Sequence, residues 1–182
     1  MTQAQVGEAQ GRVRTKEVAH YVIARARPDR LGATKLNKIM WIADLAAYRQ
    51  LGKTITGQKS YRKMQYGPVP NDIVAALAAL KAEGKVHERS ADTPSGPRRE
   101  FVWLERPDAS VFDAVEVDIL NEVIEWLCAN FSAAQISEAT HDALWDEIEL
   151  GEQIPIGAAS IVAGEVTAED FDWALQELAA VD

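Results

Sequence analysis

The sequence predicts a mainly α fold of the α+β class: a compact helical domain with a small β-hairpin and a C-terminal helical extension. Three observations carry this. Apolar residues recur at helical spacing in several segments, the first three of them closed by Gly or Pro. Only two stretches, Lys85–Arg89 and Glu100–Leu104, combine β-favouring residues with a polar connection between them. With 182 residues, 47% of them apolar, the chain is long enough to bury a core, and no apolar run approaches the ~20 residues of a membrane span.

The elements follow in order. Residues 1–12, polar and small, read as a disordered tail without the basic and apolar regions of a signal peptide. A first helix is expected over Thr15–Arg27, with Val18, Tyr21, Val22 and Ala26 on one stripe, stopped by Pro28 to Gly32. Thr34 is placed to cap a second helix, Lys35–Gln50, which Gly52 closes. Leu36, Ile39, Met40, Ala43 and Ala47 form one stripe of it, and Trp41, Ile42 and Leu45 widen the apolar surface until it runs nearly all round. Such a helix belongs at the centre of a fold. Asp44 lies inside that run, where a carboxylate needs a hydrogen-bonding partner.

Ile55–Tyr66 has no helical period and reads as extended or loop. Gly67-Pro68-Val69-Pro70 reads as a turn, and Asn71 as the cap of a third helix, Asp72–Glu83, stopped by Gly84. The hairpin follows, and two strands alone are marginal, so it must lean on the helices. A fourth helix is expected from Asp113 to near Asn130, with Val117, Leu120, Val123, Ile124 and Leu127 buried. Ser132 to Gln135 forms a capping box opening a short fifth helix towards Thr140. His141–Ile156 is less regular and is broken by Pro155. Thr167 to Asp170 opens a final helix with Phe171, Leu175 and Leu178 on one face. Residues 13–162 thus form the main domain, and 163–182 an appended helix.

The net charge of −9 hides a split. Residues 1–63 hold 13 Lys and Arg against 4 Asp and Glu, and from Glu100 onward 20 acidic residues face the single basic Arg106. An acidic half repels phosphate backbones and suits a basic partner. Arg25, Arg27, Arg30, Lys35 and Lys38 form a candidate basic patch, but the second helix is too apolar to serve as an exposed recognition helix, which disfavours nucleic acid. One cysteine, Cys128, forms no internal disulfide and points to the reducing cytoplasm.

Catalytic patterns are missing. His20, His87 and His141 fall on three different elements, without HxxxH or CxxC spacing, so no metal site or cofactor is expected. Thr140, His141 and Asp142 are adjacent in sequence and so point to different sides of a helix, which denies them an in-line relay. Side chains recruited by a helix end, with Trp145 packing beneath, account for them better. The sequence reads as a binding protein and not as an enzyme.

Several segments, in this order, resemble the Panacea domain family of SocA-like antitoxins. They are Thr34 to Asp44, with Leu36, Asn37, Lys38 and Trp41; Tyr48-Arg49, Gly52 and Ile55 to Gly57; Tyr66-Gly67-Pro68-Val69-Pro70; Gly84 to Val86; and Ser137, Thr140, His141 and Trp145 with Ile154-Pro155. Trp41 stands where the family has Tyr or Phe, Met40 where Leu is usual, and Leu144 where a proline is usual near Trp145. The resemblance covers residues 15–162 and implies an antitoxin of a bacterial toxin–antitoxin system, in which those motif residues are scaffold. Asp44 is then expected to accept hydrogen bonds from Tyr66 or from backbone around Gly67, fixing the Gly-Pro turn against the second helix.

What the resemblance implies is neutralisation of a cognate protein toxin by direct contact. The acidic second half makes a basic toxin the expected partner, the lone cysteine makes the cytoplasm the expected compartment, and the lack of a long apolar run leaves no membrane association expected. The alternatives are a proteolytic adaptor that delivers the toxin to an ATP-dependent protease, and a DNA-binding autorepressor. Asp170, Asp172 and Glu177 on the final helix are the candidate partner-binding residues.

Overall fold

In the computed structural model, described over residues 3–93, 96–132, 135–136 and 143–162, helices predominate and two small antiparallel sheets flank them. The helices are α1 (Gln3–Arg25), α2 (Ala33–Leu51), α3 (Ile73–Ala82), α4 (Ala114–Asn130), α5 (Ala143–Glu147) and α6 (Ile156–Val162). The strands are β1 (Ser60–Met64), β2 (Gly67–Pro70), β3 (Val86–Thr93), β4 (Gly96–Trp103) and β5 (Gln153–Pro155). No described helix is long and apolar enough to cross a membrane.

In α1, Val18, Tyr21 and Val22 are buried, with Ala26 just past its end, as the sequence stripe predicts, and Ala19 and Ile23 are buried with them. The helix also reaches back to Gln3, over the segment read as a disordered tail. Its Gln, Ala, Glu and Arg residues are good helix formers, and the packed turns after Thr15 supply the nucleus from which a helix propagates.

The nearly all-round apolarity of α2 has a structural cause: two cores lie against it. Leu36, Ile39, Met40, Ala43 and Ala47 face the larger core, with α1, α3, α4, Val86 and Phe101. Trp41 and Leu45 face a smaller one, with Tyr61, Trp145, Ile154, Ile156 and Ala159. Ile42 borders both. Thr34 is not the cap of this helix; Gly32 occupies the N-cap position and no side chain bonds the free amides there. At the other end Gly52, at φ +69°, donates its N–H to the Tyr48 carbonyl at 2.9 Å.

The segment read as extended or loop contains β1, and Gly67–Pro70 is a strand and not a turn. β1 lies between β2 and β5, with Tyr61 opposite Pro70, Met64 opposite Gly67, and Tyr61 opposite Ile154 on the other side. Two prolines are tolerated in β2 because it is an edge strand, where a missing N–H breaks no outer ladder. Asn71 does not cap α3 either: Asp72 precedes the helix, and the Asn71 amide donates instead to the Ser60 carbonyl at 3.0 Å and pairs with the Gln153 amide. β3 and β4 form the expected hairpin, longer than the two predicted strands, and lean on α1 and α3.

Asp113 opens α4 through a capping box, accepting from the Glu116 N–H at 2.9 Å while Glu116 accepts from the Asp113 N–H at 3.1 Å. Leu120, Val123, Ile124 and Leu127 are buried as predicted, and Val117 only partly so. Ser132 and Gln135 make the predicted reciprocal bonds, at 2.9 and 3.3 Å. Pro155 ends β5, and α6 starts at the next residue. The predicted final helix lies outside the described residues.

Leu120 is fully buried in the larger core. Leu120→Ala is expected to lower unfolding free energy by about 3 kcal/mol, read from urea denaturation. A loss under ~1 kcal/mol is incompatible with this packing.

Candidate functional site

The motif residues converge where α2, β1, β2 and α5 meet. Asp44 is completely buried. One carboxylate oxygen accepts from the Ile55 N–H at 2.8 Å and the Thr56 N–H at 3.0 Å. The other accepts from the Tyr61 hydroxyl at 2.8 Å and from the Thr56 hydroxyl. A single side chain thus fixes the chain at two places after α2, the bend at Ile55–Thr56 and the start of β1. Burial pushes the Asp44 carboxyl up, the donors from Thr56, Tyr61 and Ile55 pull it back, and the balance stands at about 6. At neutral pH it is therefore an acceptor for all four donors. Burial, with the adjacent Asp44 charge, holds Tyr61 protonated, in its role as donor. The ring of Tyr61 meets Trp41 edge-on, with centroids 5.0 Å apart at 67°.

The partners of Asp44 differ from those expected. Tyr66 is not one of them: it occupies the tight β1–β2 turn and is 63% exposed. Thr56 and Tyr61 take that role. Strand alternation across Ser60–Met64 is the signal that points Tyr61 inward, but it covers only five residues and no second periodicity supports it.

Lys38, six residues before Asp44 on α2, is 1% exposed. Burial lowers its ammonium to about 8. Its end lies beneath Gly67, so closely that a Cβ built on that glycine collides with Nζ and Cε of Lys38. Gly67 also has φ +125°, which L side chains rarely adopt. Trp145 of α5 sits beside this point, its ring centroid 5.7 Å from Lys38 Nζ and 4.5 Å from Lys63 Nζ. Lys63 in addition donates to the carbonyls of Trp145 and Ile148, the latter at 2.8 Å, which ties β1 to α5. Leu36 lies in the larger core. Pro68 is buried in β2, next to half-buried Val69. Ser137, Thr140 and His141 lie outside the described residues, as do Asp170, Asp172 and Glu177.

Over this buried layer runs a shallow groove of about 200 Å³, lined by Thr34, Asn37, Met64, Tyr66, Pro68 and Val69 among others. Met64 is 43% exposed, so two large side chains of the β1–β2 hairpin stand in solvent beside it. The sequence offered no signal for this groove, since its walls come from the start of α2 and from a hairpin not recognised as one.

The candidate basic patch does not assemble. Lys35 and Lys38 are buried, and Arg27 pairs with Asp29 at 2.9 Å. The two charged halves instead meet: Arg14 pairs with Glu116 at 2.7 Å, and Lys53 reaches both Asp113 and Glu116 at 3.4 Å. His20 is buried with its Nε2 2.9 Å from the Glu105 carbonyl. Among the described residues no three His, Cys, Asp or Glu side chains are grouped as metal ligands.

The domain is thus mainly helical, its interior polar residues pin a small hairpin, and that hairpin's tip is left in solvent. Residues 36–146 match the family described as antitoxin SocA-like, Panacea domain, and the chain belongs to that family, so its role lies in a toxin–antitoxin system. The matched span runs from Leu36 to just past Trp145 and so contains the whole buried layer. Comparison with curated proteins and with solved structures gave no match.

Two predictions follow the two buried charges. Because the folded-state value of Asp44, about 6, lies above its ordinary 3.8, the folded chain binds that proton more tightly than the unfolded chain does. The stability so contributed is full below pH 3.8 and is lost as pH rises through 6. Compared with Asp44→Asn, which cannot ionise, the wild type should lose relative stability on the order of 2 kcal/mol between pH 4 and pH 7. Parallel curves for the two proteins in urea titrations across that range refute the assignment.

Gly67→Ala should destabilise by roughly 2 kcal/mol or more, combining an unfavourable φ with the collision against Lys38. In a double-mutant cycle with Lys38→Ala the two losses should be clearly less than additive. Strict additivity would place Lys38 away from Gly67.

Proposed function

We propose that the chain neutralises a cognate protein toxin by direct contact, docking it where the first turns of α2 meet the β1–β2 hairpin. The observation that carries this reading is the exposure of Met64 and Tyr66 on a hairpin whose base is locked from beneath by Lys38, Asp44 and Tyr61. Tyr and Met are enriched at protein interfaces, and a rigid platform spares the ordering cost that binding otherwise incurs. A stable complex needs about 800 Å² per partner, so the contact extends beyond the groove onto neighbouring surface.

On this reading Leu36, Asn37, Lys38, Trp41, Asp44, Gly67, Pro68, Val69 and Trp145 set the shape of the platform, and Tyr66 departs from that group as a contact residue. The buried hydrogen bonds of Asp44 are made within the chain, which suits scaffolding better than chemistry on a substrate. The toxin is basic. Support comes from α4, where Asp118, Glu122 and Glu125 recur on its exposed side with no ion-pair partner among the described residues. Such a field speeds encounter at low salt.

Co-expression with the toxin should restore growth, and the two proteins should co-purify. Tyr66→Asp and Met64→Asp should each weaken the complex at least tenfold by calorimetry, with melting temperatures unchanged. Unaltered affinity in both variants removes the docking face. Rescue of growth without a physical complex defeats direct neutralisation altogether. Loss of toxin only after addition of an ATP-dependent protease and ATP assigns delivery to the protease in its place.

A further inference from the structure

A second, larger depression lies on the other side of the α2 N-terminus. It measures about 870 Å³ and is walled by the start of α2, the start of β4 and the chain after α4, with Arg30, Lys35, Arg98 and Arg99 around it. That volume is in the range of small-molecule sites.

The charges of this cleft are poorly balanced. Lys35 is 5% exposed, and its ammonium donates to the Phe131 carbonyl at 2.6 Å. An ammonium carries three donors, and Lys35 has no ion-pair partner among the described residues. Burial lowers the Lys35 ammonium; Cys128 opposes this, and Arg30 and Arg98 each add a smaller downward push. Arg30 is exposed and likewise has no ion-pair partner among the described residues. Arg98 gives one terminal N–H to Glu100 at 2.5 Å, and its buried Nε–H meets no acceptor. Arg99 is engaged by Glu88 at 2.5 Å, and Asp29 at the rim by Arg27. Three cations, one of them buried, therefore converge, and among the described residues Glu100 is the one carboxylate bound to any of them.

The chain at this point adds more donors. Gly32 leaves the first turn of α2 without a side-chain cap, and the first amide of that region bonded within the helix is Leu36 N–H, to the Gly32 carbonyl at 2.9 Å. Arg98 lies against Gly32, where a Cβ would sit 3.4 Å from its Cγ and Cδ, so the guanidinium stem runs alongside the open helix end. Buried donors without acceptors are costly, and a tetrahedral oxyanion satisfies several of them at once.

We propose that this cleft binds the phosphoryl group of a small phosphorylated molecule, held by Lys35, the Nε–H of Arg98, Arg30 and the free amides of the first turn of α2. A polymer is the poorer fit. A nucleic-acid backbone needs a track of exposed cations, and here Lys35 is buried and the neighbouring Arg27 is already paired. An acidic peptide is poorer too, because flat carboxylates use the bidentate face of a guanidinium, and the Arg98 terminus is held by Glu100.

The test uses the full chain with four probes in calorimetry at fixed ionic strength: pyrophosphate, ATP without metal, a single-stranded oligonucleotide and a polyglutamate peptide. Saturable binding of pyrophosphate or ATP is expected, and the ratio of their affinities tells whether a bare phosphate or a nucleotide is preferred. Arg30→Ala and Arg98→Met should each reduce that affinity roughly tenfold, the methionine keeping the packing on Gly32. Arg27→Ala, outside the cleft, should leave it unchanged. Because Arg30 is exposed, its variant tests the site even if Arg98→Met fails to fold. Absence of binding by both small phosphates at millimolar concentration overturns the proposal. So does saturation by the oligonucleotide or polyglutamate alone, or affinity equal to wild type in Arg30→Ala.

Discussion

The carboxylate of Asp44 is the interaction on which the rest of the structure depends. It is a charge placed inside a run of apolar residues on α2, and its cost is offset only because four donors from Ile55, Thr56 and Tyr61 close around it. Those donors lie 11 to 17 residues further along the chain. Satisfying one acid therefore dictates where the chain goes after α2, and through Tyr61 it places β1 against Trp41. The other two strands of that sheet take their register from β1: β2 on one edge and β5 on the other.

Lys38 completes this arrangement from six residues earlier on the same helix. Its aliphatic stem and ammonium fill the space that a side chain at position 67 would claim, so the glycine and the lysine specify each other. Trp145 then closes the layer, flanked by Lys38 and Lys63. The result is a two-sided α2: large apolar core on one side, a smaller core built around polar anchors on the other. The first gives most of the buried apolar area. The second holds the hairpin in one orientation and leaves its tip in solvent, which is what the proposed docking face requires.

Charge is distributed by the same logic. The basic N-terminal residues and the acidic C-terminal residues pair where they meet, as Arg14 and Lys53 do with Glu116 and Asp113. Such pairs cancel much of the separation that the sequence displays. What is left over is more informative than the totals: an acidic side of α4 with no ion-pair partner among the described residues, and a cleft of cations beside the open end of α2. Neither is visible from net charge.

The sequence by itself determined the helices, the central place of α2, the need of Asp44 for a partner and the family. These rest on residues three or four apart, or on motif order, and local spacing encodes both. It misread Gly67–Pro70 as a turn, because prolines report on φ and on a missing donor and do not tell a turn from an edge strand. Only the tertiary structure decided that Tyr61 and Thr56, and not Tyr66, serve Asp44, that Lys38 lies under Gly67, and that Lys35 reaches the carbonyl of Phe131, 96 residues away. Those pairings are long-range: each depends on how separate elements pack, and no local pattern of spacing carries that information.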